Sequence, residues 1–239
     1  MSGAVWSVTW RVAARRRRLL AWNLLVPALL LVPVATSGAA AAHRAIVLTV
    51  FVAFFGAYGS CIPLLRDGMS GWAEKVLLTG YGGRRWLIER LLASTLIDWL
   101  QLLPANLVVL ALVQASWPVA AAVLGFTALA LLFANLLGVF VAAGVRALGE
   151  AALGCAVLSL LALHAAGVFR TPDPASWWAI VEAWSPLRPL HESWLGVLAA
   201  NGAPTDSARP VASAALLIGL ASALGRRLAA RISGVRPEW

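Results

Sequence analysis

RDGMSGWAEKVLLTGYGGRRWLIER, residues 66–90, is a basic segment set between two long apolar runs, and the side of the membrane on which it lies decides how the chain is threaded. Working outward from it, six apolar stretches are long enough to cross a bilayer: 19–40, 45–65, 91–114, 119–145, 151–169 and 210–225. If the connections alternate between sides and both termini lie with 66–90, one side holds Arg11, Arg15, Arg16, Arg17, Arg18, Arg66, Lys75, Arg84, Arg85, Arg90, Arg146, Arg226, Arg227, Arg231 and Arg236. The other side keeps Arg44, Arg170, Arg188 and Arg209. Fifteen cations against four is a strong asymmetry, and cationic connections are retained in the cytoplasm. The termini and residues 66–90 are therefore expected to be cytoplasmic, in a multi-pass protein of the inner or plasma membrane.

Composition agrees. The chain is 61% hydrophobic and 12% charged, where soluble proteins average about 25% charged, and its mean hydropathy is +0.84. Its 239 residues suffice for an all-α membrane protein of six transmembrane helices and leave no room for a separate soluble catalytic domain. We divide it into a cytoplasmic interfacial helix, 1–18, and a six-helix transmembrane domain, 19–239. The net charge of +9 would suggest nucleic acid in a soluble protein. Here the excess is all cytoplasmic, because the four outer cations are balanced by Asp173, Glu182, Glu192 and Asp206. Anionic lipid is the partner this implies, and nucleic acid is not.

At the N-terminus, Val5, Val8 and Val12 fall at helical spacing, with Trp6 and Trp10 one turn apart, which reads as an amphipathic helix at the interface. The apolar run that follows Arg15 to Arg18 is too long for the core of a cleaved signal, about 7–15 residues. Pro27 and Pro33 should kink or break the first span. Cys61 and Cys155 sit singly in apolar segments with no metal spacing and read as packing residues.

Within 66–90, Ser70 to Leu78 can form a short helix with Ser70 as N-cap and Gly80 just past its end. Trp72, Ala73, Val76 and Leu77 share one face, while Glu74 and Lys75 turn away. The outer segment 170–209 carries two apolar pieces, with Trp177, Ile180, Val181 and Trp184 in the first and Leu190 to Ala200 in the second. Ser185, Pro186, Arg188 and Pro189 separate them. Each piece is about half the length of a span, so a re-entrant or interfacial pair is expected, with its tryptophans at headgroup level and Trp177, Trp184, Pro186 and Pro189 forming an outer gate.

Polar groups inside the spans are few. Asp98 lies about 12 Å beyond Arg90 along a helix, inside the hydrocarbon, with Gln101 on its face. An acid there should face the bundle or a cavity, and Asp98, Gln101 and Asn135 are the candidate lining of a translocation path. Asn135 and His164 are also suited to hydrogen bonds between helices. An intramembrane protease would need Ser60 as nucleophile and His164 as base, yet the topology puts them at different depths. Gly80, Gly82 and Gly83 lead into Arg84 and Trp86, not into the Gly-Lys of a phosphate loop, so nucleotide chemistry would belong to another chain.

The interfacial helix, six spans with both ends inside, the short helix between spans two and three and the Pro-broken pair between spans five and six together resemble the permease subunit of type-2 ATP-binding-cassette (ABC-2) exporters. The local matches are Arg66-Asp-Gly, Trp72-Ala-Glu-Lys-Val-Leu-Leu-Thr-Gly80, Glu89-Arg90-Leu-Leu and Ser185-Pro-Leu-Arg-Pro-Leu-His-Glu192. The chain departs from the family in lacking an extended outer domain and in carrying Asp98. The resemblance implies a pair of permease subunits, identical or homologous, around a shared path above two separate ATPase subunits. ATP and Mg would be bound there and no cofactor in this chain. Trp72, Ala73, Glu74, Lys75, Val76, Leu77 and Leu78 would form the coupling helix, and ATPase closure would push on spans two and three. A narrower relative is the haem-exporting permease of cytochrome c maturation; a reading of another class is a membrane scaffold without transport.

Overall fold

The computed structural model describes residues 4–15, 17–170, 176–199 and 208–234, and every regular element among them is an α-helix. They are α1 (Ala4–Arg15), α2 (Arg17–Thr36), α3 (Ala41–Met69), α4 (Trp72–Leu78), α5 (Gly83–Leu112), α6 (Trp117–Gly144), α7 (Leu148–Ala165), α8 (Trp178–Trp184), α9 (Leu187–Leu198) and α10 (Ala208–Ser233). Six of these, α2, α3, α5, α6, α7 and α10, are long and apolar enough to cross a membrane. They coincide with the six stretches legible in the sequence. In hydrocarbon each backbone N–H and C=O must be paired internally, and a helix does this within one segment.

The helices outrun the apolar stretches. α3 continues to Met69 and α5 begins at Gly83, so residues 66–90 are mostly helix rather than loop. At 29 residues α3 is about 43 Å long, well beyond a hydrocarbon core of about 30 Å. The expected break in α2 does not occur: the helix runs unbroken from Arg17 to Thr36 with Pro27 and Pro33 inside it. Two missing donors leave most of its hydrogen-bond ladder intact, and the face bearing Pro27, Leu31 and Ala35 is buried.

α3 and α6 form the centre, and α5, α7, α9 and α10 surround them. Around this pair the apolar core has two halves. One gathers Leu48, Val52, Leu102, Val109, Val123 and Leu131 with Leu187, Leu190 and Trp194 of α9. The other gathers Leu64, Trp86, Leu87, Leu136 and Val139 with Ala221, Leu228 and Ala229 of α10. The two central helices approach closely because glycines face across: a methyl on Gly138 would collide with the carbonyl of Ala57 and lie 3.1 Å from the Cys61 nitrogen. One on Gly56 would lie 2.8 Å from the Ala134 Cβ. Without a hydrophobic drive between helices in lipid, close packing of small residues is a main source of association. Leucines also face outward: Leu25, Leu29 and Leu30 of α2 and Leu153, Leu160 and Leu161 of α7 are exposed on the bundle flank.

Gly138→Val should destabilise the bundle by about 1–3 kcal/mol through overpacking. Gly125→Ala on the same helix, where nothing lies within 4 Å of the added carbon, should be neutral or stabilising. Thermal unfolding of the purified protein in detergent checks the pair.

Candidate functional site

Three regions concentrate the polar chemistry: the short helix α4, a cavity beside α3 and α5, and the α8–α9 pair at the other end of the bundle. α4 starts at Gly71, whose φ of 68° is the left-handed conformation that glycine adopts without strain, and Gly80 at φ 80° follows its end. Ser70 is not its N-cap. Because α3 runs so far, Ser70 terminates that helix instead, its Oγ donating to the Asp67 carbonyl at 3.2 Å. Ala73 is fully buried, Trp72, Val76 and Leu77 are half-buried, and Glu74, Lys75 and Leu78 are exposed. The face expected from the sequence thus rests on the protein.

What it rests on was not legible beforehand. α4 packs against α3 and also against α10. Glycines again permit the approach. A methyl on Gly68 would collide with the Ile232 carbonyl, and methyls on Gly83 and Gly225 would lie 3.1 Å from the Ala229 Cβ and the Arg84 Cα. Arg90, read from the sequence as a loop charge, is buried and ties four helices together. It donates to Asp67 Oδ2 of α3 and to Thr9 Oγ1 of α1, each at 2.7 Å, and its guanidinium lies 6.0 Å from the ring centroid of Trp72. α1 is accordingly held on its Val5 and Thr9 side, which are buried, while Val12 is exposed, so the expected Val5, Val8 and Val12 stripe is not the contact face. The signal for this was Thr9 at i+4 from Val5.

A cavity of about 640 Å³ lies between α1, α2, α3 and α5. Trp22, Asn23, Phe51, Phe54, Phe55, Tyr58, Asp98 and Gln101 line it, with Arg66, Asp67 and Arg90 toward its α4 end. Asn23 Nδ2 donates to Gln101 Oε1 at 3.1 Å. Asn135 Nδ2 donates to Asp98 Oδ2 at 3.0 Å and to the Leu131 carbonyl at 2.9 Å, while Ser60 Oγ donates to Asn135 Oδ1. Gly59 stands against the Asp98 carboxylate, and any side chain there would strike it. The three candidate path residues therefore divide: Asp98 and Gln101 line the cavity, and Asn135 stands behind Asp98 and positions it. Asn23 was missed, though a lone amide in an apolar span was signal enough.

The protease arrangement is not formed. Ser60 is committed to Asn135, whereas His164 sits at the end of α7, exposed, its ring meeting the edge of Trp178 at 6.3 Å between centroids. His164 thus makes an aromatic contact and not the helix–helix hydrogen bond expected of it. Cys61 and Cys155 are free and buried. Among the described residues no cluster of three His, Cys, Asp or Glu could hold a metal ion.

At the far end, α8 and α9 are separate helices broken at Ser185 and Pro186, with Pro186 and Pro189 opening α9. α9 is drawn inward: Leu187, Leu190 and Trp194 are fully buried against the central helices, so Trp194 faces the bundle and not its surroundings. α8 keeps Trp177, Ile180 and Trp184 outward. Glu182, counted in the sequence as a loop charge, is only 1% exposed and lies between Arg170 and Arg188, with Arg188 Nη1 at 2.9 Å from Glu182 Oε2 and Arg188 Nε at 2.7 Å from Glu192 Oε1. Gly167, at φ 73°, lets the chain turn directly over this carboxylate. The segment 171–175 between Arg170 and α8 and the segment 200–207 lie outside the described residues, so Asp173 and Asp206 do too.

Glu182→Leu should cost about 3 kcal/mol or more, since it takes from Arg170 its carboxylate partner and leaves Arg188 with Glu192 alone. Arg85→Ala, which breaks the exposed pair with Glu89, should leave the unfolding midpoint unchanged. Denaturation of the two variants in the same detergent separates these outcomes.

Comparison with known families finds that the family model described as ABC-2 type transporter matches residues 3–198, a range that takes in α1 to α9. No curated protein and no solved structure matches the chain.

Proposed function

We propose, from the premise that this chain belongs to the ABC-2 type transporter family, that it is the membrane-spanning subunit of an ATP-driven exporter, coupled through α4 to a separately encoded ATPase. Membership makes it the permease component of such a transporter, a multi-pass membrane protein that associates with an ABC ATPase. Export, the pairing of two permease subunits around a path, and cytoplasmic termini are our reading. ATP and Mg belong to the partner.

The observation that carries the reading is the division of α4 into two faces. Ala73 is buried and Trp72, Val76 and Leu77 half-buried on α3 and α10, while Glu74, Lys75 and Leu78 are exposed, as are Arg84 and Arg85 at the start of α5. An exposed Leu78 beside charges is what a soluble partner's groove would cover. Because α4 is packed and not tethered loosely, a push on it is delivered as rigid-body motion. α4 packs on α3 and α10, the second and sixth spans, and its Trp72 lies against Arg90 of α5, the third, so a push on it would reach all three. The fifteen-to-four charge asymmetry supports a cytoplasmic position for this end, where ATP is.

The test uses Lys75→Glu with Leu78→Asp, both on exposed positions that the bundle does not need. The double variant should fold and reach the membrane as the parent does, yet lose capture of its ABC ATPase or lose substrate-stimulated ATP hydrolysis in proteoliposomes by about tenfold or more, the scale of a disrupted interface centre. Retention of wild-type stimulation removes α4 from the coupling role. Labelling of an introduced Ser70→Cys from the outside of intact cells would reverse the orientation.

A further inference from the structure

We propose that the cavity between α1, α2, α3 and α5 is a binding site for hydrophobic organic cations, with the Asp98 carboxylate as counter-ion and the aromatic stripe of α3 as the wall that receives the cation's face. The proposal rests on the permease reading above and names the chemical class of its cargo.

Asp98 is 5% exposed, and its one hydrogen-bond donor among the described side chains is the Asn135 amide. Among the described residues no Lys, Arg or His forms an ion pair with it. The nearest cation on its own helix toward the α4 end, Arg90, is already held by Asp67 and Thr9. A negative charge at this depth is costly unless a positive charge meets it, and no described residue supplies one. It does supply space. Asp98 lines a cavity of about 640 Å³, within the range of about 300–1,000 Å³ that takes drug-sized ligands.

The wall that α3 contributes is aromatic. Phe51, Phe55 and Tyr58 fall at i, i+4 and i+7 on α3 and all line the cavity, with Phe54 stacked on Tyr58. Gly59, next along this stripe, brings the α3 backbone against the carboxylate, so the rings and the acid border the same space. A carboxylate bordered by aromatic faces, with the pocket's own cations Arg66 and Arg90 toward the α4 end, recognises ammonium or phosphonium groups, by ion pairing and by attraction to the ring quadrupole. An anion of the same shape would meet repulsion at Asp98, so the site selects on charge.

Tetraphenylphosphonium and tetraphenylborate match in size and shape and differ in sign of charge, so they isolate this selection. The probe is equilibrium binding to the full-length chain in nanodiscs of zwitterionic lipid, with binding to protein-free nanodiscs subtracted. Tetraphenylphosphonium should bind saturably, tetraphenylborate should not displace it, and Asp98→Asn should weaken binding by about tenfold or more. Should Asp98→Asn fail to fold, Phe55→Leu with Tyr58→Leu keeps the carboxylate and removes two ring faces, and it too should weaken tetraphenylphosphonium. Wild-type affinity in a folded Asp98→Asn, undiminished affinity in the ring variant, or equal binding of the two ions overturns the proposal; unchanged affinity with a lowered unfolding midpoint would assign Asp98 a structural role only. Those results leave the permease reading standing, since ATPase capture is measured separately.

Discussion

Hydrocarbon offers no hydrogen-bond partner, and that single constraint arranges the polar atoms of this protein. Backbone groups answer it by forming helices. Hydroxyl groups answer it locally: Thr49, Thr95 and Thr127 each donate to the carbonyl four residues earlier, at 2.8, 2.9 and 2.8 Å. Amide and carboxylate side chains carry more donors and acceptors than one turn of their own helix can satisfy. They therefore reach across, and Asn23 with Gln101 links α2 to α5, while Asp98, Asn135 and Ser60 link α5, α6 and α3. The candidate cavity follows from this ladder, because its polar lining is the part of the ladder that faces open space.

Close approach at the centre is the complement of that rule. Gly56 and Gly138 let α3 and α6 touch backbone to backbone, and Gly68, Gly83 and Gly225 do the same where α10 crosses the α3–α4–α5 junction. Small residues at the closest contacts, with Leu both in the core and on the flank, is an arrangement expected when the surrounding medium is as apolar as the side chains. It also makes the central pair stiff, since neither helix can slide without a carbonyl meeting a carbon.

Stiffness gives the two ends something to share. α3 touches α4 at one end and α9 at the other, where Thr49 Oγ1 lies 3.5 Å from His191 Nδ1. At the α4 end, Arg90 joins α1, α3, α5 and the ring of Trp72; at the α9 end, Glu182 gathers Arg170 and Arg188. Each is a buried ion with several partners: Arg90 fixes α1 onto α3 and α5, and Glu182 ties α8 to α9 and to the turn after α7. A displacement at α4 thus has a continuous packed route to α9 along one helix, with the cavity beside it.

Sequence alone determined the six spans, the short helix after the second, the broken pair after the fifth, and the side on which cations gather, because these depend on local hydropathy, turn residues and charge. It also picked Asp98, Gln101 and Asn135, since a polar group in an apolar run is visible without coordinates. Only the tertiary structure decided which of them line the cavity, that Asn23 joins them, that Arg90 and Glu182 are buried anchors and not loop charges, that α9 with Trp194 turns inward, and that α10 carries α4. The physical reason is the same in every case. Burial and partnership are properties of helices brought together from distant parts of the chain, and a residue's own neighbours in sequence do not record which helix will lie across from it.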